Sequence, residues 1–400
     1  MRPEELRELG NPVWVDVLRA DEFLGLADKT ILHAGPPIEF ARMCSGHRRS
    51  MINACFFEGW AKTEAEALKL LEGGAVKCEA AYDYATDGSG YGIITKSVPL
   101  LIVEDRDYGS RAGLFPSEGK FGGGFTGWGV YSEEIAANLR WIGTTLFAEL
   151  VSVLKDIGGF PMRELFAEAR RMGDELHSSQ KAIDPLFTRA IVPYALKCRN
   201  AADLLAYFAT ADRFTHNFGQ ASSRALVLGL EKAGKRGFLT AAGGNGVEYG
   251  VKFAGSDEWH VAPSPMIEGP YLVAGAKREN QLPWIGDSSI TECRGWGGQI
   301  RAVNPAFEIR REGAPETEEG RREGVGETEE GRREGVGETE EDRCEGAPET
   351  EEGRCEGAPE TFAARPRAAE GMVINGGMMD VNGGWMGAGS TCMPEECFTC

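Results

Sequence analysis

Between Glu312 and Thr361 the chain repeats an eleven-residue unit five times, the last copy incomplete. The copies begin at Glu312, Glu323, Glu334, Glu345 and Glu356 and read close to Glu-Gly-Ala-Pro-Glu-Thr-Glu-Glu-Gly-Arg-Arg. An eleven-residue period supports a right-handed coiled coil only when apolar residues recur within it. Here alanine or valine alone would have to serve, and glycine interrupts the units, so the segment cannot offset its own ordering entropy. The expectation is a disordered acidic insertion over residues 310–369, which confines folding to the residues before it and to a tail at 370–400. Nineteen acidic residues and six arginines lie in the repeats, leaving about −6 of the net charge of −19 for everything else. An acidic chain excludes nucleic acid and anionic membrane as main partners. No stretch reaches the roughly 18 uninterrupted apolar residues of a membrane span. The charged N-terminus has no apolar signal core, and the ten cysteines are irregularly spaced, as free thiols are. The expected compartment is the cytoplasm.

Ahead of the repeats, the stretch from Thr30 to Glu66 carries the clearest local pattern. Thr30–Leu32 reads as a buried strand, the chain turns through His33-Ala34-Gly35, and Pro36-Pro37 fits the first positions of a helix. That places His33 at the carboxyl end of a strand, beside the backbone N–H groups of a helix start, a geometry that suits anions. Arg42 follows one to two turns on. The plainer reading makes His33 a satisfied strand-end histidine and Arg42 a surface residue.

Pro12–Leu18 and Val98–Glu104 read as further strands, with Val13, Val15 and Val17 on one face. Thr63 and Glu66 form a capping box opening a helix that stops at Gly73-Gly74. Residues 1–130 are therefore expected to form an α/β domain. The glycine-rich run Gly119–Gly129 lacks the Gly-Lys-Ser/Thr of a phosphate loop and is expected to be a flexible connection. From Ser132, apolar residues recur at helical spacing (Ile135, Leu139, Ile142, Leu146), and helices are expected from Pro161, over Ile183–Lys197, Ala201–Ala209 and Ser222–Lys232. Residues 131–236 are thus expected as a helical domain. Short strands at Val247–Phe253, Glu258–Val261 and Tyr271–Val273 predict a mixed β region over 237–309. The fold class is mixed, α+β with an α/β unit at the N-terminus.

Seven blocks in order carry a resemblance. They are His33-Ala-Gly-Pro-Pro-Ile38 with Arg42-Met-Cys44, Glu58-Gly-Trp60, Met172-Gly-Asp-Glu175 with His177, Asn245-Gly246, Ala262-Pro263 with Pro265, Gly286-Asp287-Ser288, and Thr291-Glu292. Covering roughly residues 11–300, with a weaker match near Gly387-Ala388-Gly389, they resemble the YlbE-like family, formerly a domain of unknown function. That family includes a subunit of the bacterial oxamate carbamoyltransferase of anaerobic allantoin degradation. The resemblance implies a subunit of such a complex, moving a carbamoyl group between oxalurate and phosphate in purine catabolism. It implies an anionic small-molecule substrate (carbamoyl phosphate, oxamate or oxalurate), further subunits as partners, and no cofactor. The alternative is a non-catalytic binding or scaffold subunit with a degenerate site.

Carbamoyl transfer requires a clamped phosphate, a polarised carbonyl and an oriented acceptor. Placed on the family-like blocks, that chemistry assigns His33 to the carbonyl or phosphate and His177 to proton transfer. Gly35, Arg42 and Asn245 would bind substrate, and Asp287 and Glu292 would bind it or orient a histidine or arginine. Ser178-Ser179 stand where the family commonly has Asn-Arg, which together with the repeat insertion favours the alternative; the Ser-x-Arg-Thr signature of transcarbamoylases is absent, so activity would use a different site or one shared with other subunits. Family members also carry a segment before the first strand that this sequence is expected to lack. His177 at a helix end also fits a simple dipole complement. His47, beside Arg48 and Arg49, reads as a basic helix face, and His216 and His260 stand alone. Cys392, Cys397 and Cys400 lack a fourth ligand, so no metal site is expected.

Overall fold

The computed structural model describes residues 1, 3–116, 128–130, 132–211, 213–301, 372–381 and 385–398. The expectations for the acidic repeats, for most of the Gly119–Gly129 run and for Cys400 lie outside the described residues. The described residues all belong to one compact unit, Met1–Asn304 with Arg365–Cys400.

Strand β1 (Pro12–Arg19) is hydrophobic on alternate positions, but its alternation breaks in the middle. Pairing passes from Trp14↔Val103 directly to Asp16↔Ile102, so Val15 is a bulge residue. Val13 and Val17 are buried, Val15 is not, and the fully buried Trp14 takes the place in the core. Strand β2 (Thr30–His33) runs parallel to β3 (Lys77–Ala80). A parallel pair needs a long crossover, and here it carries the helices Ser45–Phe57 and Glu64–Glu72. Thr63 caps the second helix, its hydroxyl accepting from Glu66 N at 3.2 Å. Pro36-Pro37 do not start a helix: only a single 3₁₀ turn, Phe40–Arg42, intervenes before Ser45. The reason is local, since Pro37 disfavours the helical region for the residue before it.

Strands β4 (Pro99–Asp105), β5 (Ser110–Leu114) and the two-residue β6 (Phe160–Pro161) complete an antiparallel sheet of order β5-β4-β1-β6. Pro161 is therefore an edge-strand residue opposite Val13, a position that tolerates a missing N–H, and the next helix begins at Arg163. Between β5 and β6, the helix Glu133–Trp141 passes through a π-helical turn, Ile142–Leu146, into Phe147–Ile157. Glycine and two threonines, poor helix formers, sit in that turn. The helices Ile183–Ala195 and Ala201–Thr210 pack an aromatic cluster against β1, with Trp14 5.1 Å from Phe218 and Phe187 5.2 Å from Phe218 between ring centroids.

The second sheet has the order β10-β7-β8-β9, from β7 (Leu239–Asn245), β8 (Glu248–Phe253), β9 (His260–Pro263) and β10 (Ile285–Gly286). Strand β7, Leu-Thr-Ala-Ala-Gly-Gly-Asn, is buried throughout and escapes a search for bulky β-formers. Tyr271–Val273, expected as a strand, lies outside the named strands, with Leu272 N donating to Met386 O at 2.8 Å. Beyond the repeats, β11 (Val373–Met379) and β12 (Trp385–Cys392) form a hairpin.

The helix His216–Lys232 runs between the two sheets, and fourteen of its seventeen residues are buried. Ser110 Oγ donates to Ala225 O at 2.6 Å on one side, and Arg224 Nη1 donates to Thr240 O at 2.7 Å on the other. Its first six residues, His-Asn-Phe-Gly-Gln-Ala, show no apolar stripe because the helix faces protein all round. No described helix is long and apolar enough to cross a membrane. At Gly229 an added Cβ would meet Ser110 Oγ and lie 2.5 Å from Tyr108 Cβ. Gly229→Ala gains about 1 kcal/mol of helix propensity, yet overpacking costs about 1–3 kcal/mol. We expect a net loss of stability in urea unfolding; a net gain would mean that the helix and β5 are not in tight contact.

Candidate functional site

Three loops meet on one buried carboxylate. Asp287, at the end of β10, accepts from Gly35 N at 2.7 Å and from Gly88 N at 2.9 Å, while its own N–H donates to Gly88 O at 2.8 Å. Burial pushes its carboxyl up to about 8, against the pull of the two N–H donors and the Arg224 charge. Gly35 has φ +79, and a Cβ there would lie 2.5 Å from Asn245 N, so only glycine fits. Asn245 spends both ends of its side chain locally: Nδ2 donates to Pro36 O at 3.0 Å, and Oδ1 accepts from Glu248 N at 2.8 Å.

His33 is fully buried, with Nδ1 bonded to Ala34 O at 2.9 Å and Nε2 without a hydrogen-bond partner among the described residues. Burial holds it down to about 4. The His47 ring lies 5.7 Å away, with Nδ1 2.9 Å from Asn245 O and Nε2 2.8 Å from Tyr91 O, and its single N–H when neutral donates to one of the two. Burial and the His33 ring hold His47 at about 3, against those two carbonyls. His47 is thus an internal strut and not part of a basic helix face; the helix turns its neighbours Arg48 and Arg49 the other way. Arg42, 59% exposed, bonds Glu248 at the rim of this cluster.

The second cluster is built on Glu292. Its Oε1 accepts from His177 Nδ1 at 2.8 Å, and from Gly298 N and Asn375 N at 3.0 Å each. His177 and Glu292 are both buried. The helix before His177 ends at Arg171, so the histidine is no helix-end dipole complement; it is an oriented ring whose Nδ1 faces a carboxylate. His216 lies parallel to it, centroids 5.7 Å apart. Leu176 and Arg213 stand just before the two histidines, and both have positive φ, +67 and +70, a conformation otherwise found among described non-glycine residues only at Lys29. Such strain collects where the surroundings over-determine a functional geometry. Asp184 holds the second of these turns, accepting from Arg213 N at 2.7 Å and Thr215 N at 3.0 Å.

Between the clusters lies a cavity of about 20 Å³, bordered by Ser89, Gly90, Arg213, His216, Ile285, Ser288 and Met379. Ser288 follows Asp287, and Ser89 follows Gly88, so the carboxylate that ties the loops also sets this cavity. The structure therefore brings Gly35, Asn245 and Asp287 into direct contact, joins His33 to them through His47, and pairs His177 with Glu292. Arg42 reaches the group only through Glu248. Reading the sequence missed the Asp87–Gly92 loop, whose alternating Gly88, Gly90 and Gly92 were the available signal. It also missed His216, whose partner lies 39 positions earlier. Among the described residues no group of three or more His, Cys, Asp or Glu is placed to hold a metal.

The buried histidines set a pH dependence. With folded values depressed to about 4 and about 3, they stay neutral while the unfolded chain takes up protons from about pH 6.5 downward. Stability should fall with pH from about 6.5 towards 4, each histidine contributing up to about 1.4 kcal/mol per pH unit, while Asp287, its carboxyl raised to about 8, offsets up to about one histidine's share by holding in the fold a proton that the unfolded chain releases. Urea midpoints across this range should show the slope, and His33→Asn should flatten it. An equal slope in the variant would assign the acid sensitivity elsewhere.

A family model described as oxamate carbamoyltransferase subunit AllG matches residues 76–288, a span that holds both histidine turns, Asn245 and Asp287. The chain is 31% identical over 310 residues to oxamate carbamoyltransferase subunit AllG of Escherichia coli K12, covering 76% of this chain and 73% of that protein. It is 30% identical over 288 residues to the uncharacterized protein YahG of the same organism, covering 71% of this chain and 60% of that protein. The crystal structure of a conserved protein of unknown function from Enterococcus faecalis V583 is similar in fold, with TM-score 0.74 at 20% identity over 99% of this chain and 94% of that chain. With a family model spanning more than half of the sequence, the chain belongs to the family of oxamate carbamoyltransferase subunit AllG.

Proposed function

We propose that this chain is a subunit of an oxamate carbamoyltransferase-like complex, moving a carbamoyl group between oxalurate and phosphate in allantoin degradation. Membership of the AllG family carries this reading. In it, His177 oriented by Glu292 is the proton carrier, since a carboxylate on Nδ1 fixes the tautomer and the direction in which Nε2 points. Gly35, Asn245 and Asp287 position the loops around it, and His33 supports them from below. Arg42, exposed at the rim and paired with Glu248, would meet an anion or another subunit in this reading. Further subunits are partners in this reading, and its setting is the cytoplasm.

A non-catalytic binding or scaffold role is the second reading. It is favoured by the size of the cavity beside His216, about 20 Å³, which is room for about one water and not for oxalurate. Phosphorolysis of oxalurate by this chain alone, and mixed with candidate partner subunits, distinguishes them. Carbamoyl phosphate is expected only in the mixture, and His177→Gln is expected to lower turnover by about 100-fold or more. Undiminished turnover with the variant would establish the scaffold role, and no product in any combination would remove the carbamoyltransferase reading.

A further inference from the structure

The cavity between the two clusters presents hydrogen-bond donors and no carboxylate. Ser89, Arg213, His216 and Ser288 are its polar lining residues, and among the described residues no acidic one borders it. The tautomer of His216 follows from its neighbour. Gln180 Nε2 donates to His177 O at 2.7 Å, which fixes the orientation of that amide, and the same NH₂ lies 3.4 Å from His216 Nδ1. Nδ1 is therefore the acceptor, and the proton of the neutral ring sits on Nε2. His216 is 2% exposed, and the Gln180 contact is the one hydrogen bond of its ring among the described residues. Burial and the adjacent Arg213 charge keep the ring neutral. Ser89 Oγ accepts from Gln220 Nε2 at 2.5 Å, which leaves its own hydrogen to donate. The seventeen-residue central helix also begins here, and its positive end favours a negative charge.

We infer that Ser89, Arg213, His216 and Ser288 form a subsite for one end of a small oxyanion, a phosphoryl or carboxylate group. The cavity's volume, about that of one water, admits a terminal oxygen of such a group, and the remainder of the ligand would lie outside it. Arg213 Nη2 already donates to His177 O at 3.2 Å, and its positive charge, beside the His216 and serine donors, favours an oxyanion over a cation or an apolar group. The subsite stands on this donor set and not on carbamoyl transfer, although substrates of that reaction carry both kinds of anionic end.

The test is calorimetric titration of the full chain with inorganic phosphate and, separately, with oxamate. Saturable binding of at least one is expected, with Kd about 1 mM or tighter. Arg213→Asn removes the guanidinium while keeping a residue that accepts positive φ, and Ser288→Ala removes one hydroxyl. Affinity should fall about tenfold in the first and about threefold in the second, each a loss of ordinary hydrogen-bond size. Phosphate alone binding makes the subsite phosphoryl-selective, oxamate alone makes it carboxylate-selective, and mutual competition shows one shared subsite. If Arg213→Asn does not fold, Ser288→Ala carries the comparison. Absence of saturable binding by either anion, or affinities indifferent to the substitutions, overturns the subsite. Binding without any transfer activity removes the proposed reaction and leaves the subsite standing; transfer without such binding does the reverse.

Discussion

One carboxylate holds three chain segments that are remote in sequence. Asp287 takes the backbone N–H of Gly35 on one oxygen and that of Gly88 on the other, and it is sealed from water. Both donors are main-chain groups on glycine turns, which have few other ways of being satisfied when buried. The arrangement is demanding because each oxygen has its own fixed partner. Loss of either N–H would strand half of a buried acid, and such groups cost more than ordinary surface contacts return. The turn after β2, the Asp87–Gly92 loop and the end of β10 are in this sense one structural object. The cavity lining is its outer face.

The central helix completes the frame. It has few large apolar side chains over its first turns, and it is buried because both sheets close on it. Arg224, a residue seldom found inside, is accommodated because its guanidinium meets the carbonyls of Thr240, Tyr82 and Tyr84. The planar fork supplies donors where strand ends and loops leave carbonyls unmatched. Packing from both sides also fixes where His216 begins, and so where its ring lies against His177.

Much of the architecture was legible in the sequence. Strand β1 by its alternation, β2 and β4 as short apolar runs, the Thr63 cap and the helices after Ser132 follow from periodicity and capping chemistry. What escaped has a common cause, the use of small or polar residues in buried places. Strand β7 is mostly alanine and glycine, and the start of the central helix is His-Asn-Phe-Gly-Gln, so neither advertises burial. At the site, individual residues were legible but their partnerships were not. His177 and Glu292 stand 115 positions apart, and nothing in either neighbourhood points to the other. His47 was misread because two arginines beside it suggested a wet face, although a helix turns adjacent residues about 100° apart.

The bond from Asn375 to Glu292 has a different kind of consequence. The donor is the main-chain N–H of β11, so any residue but proline at that position would supply it. What the site requires of the C-terminal hairpin is phase. A slip of one residue would turn the strand over and aim its next amide away from the carboxylate. The histidine's partner is thus governed by the length and registration of a segment found beyond the repeats, which the Asn375 side chain helps to pin by accepting from Ser390 Oγ at 2.6 Å across the hairpin, and which a single inserted or deleted residue in β11 would break.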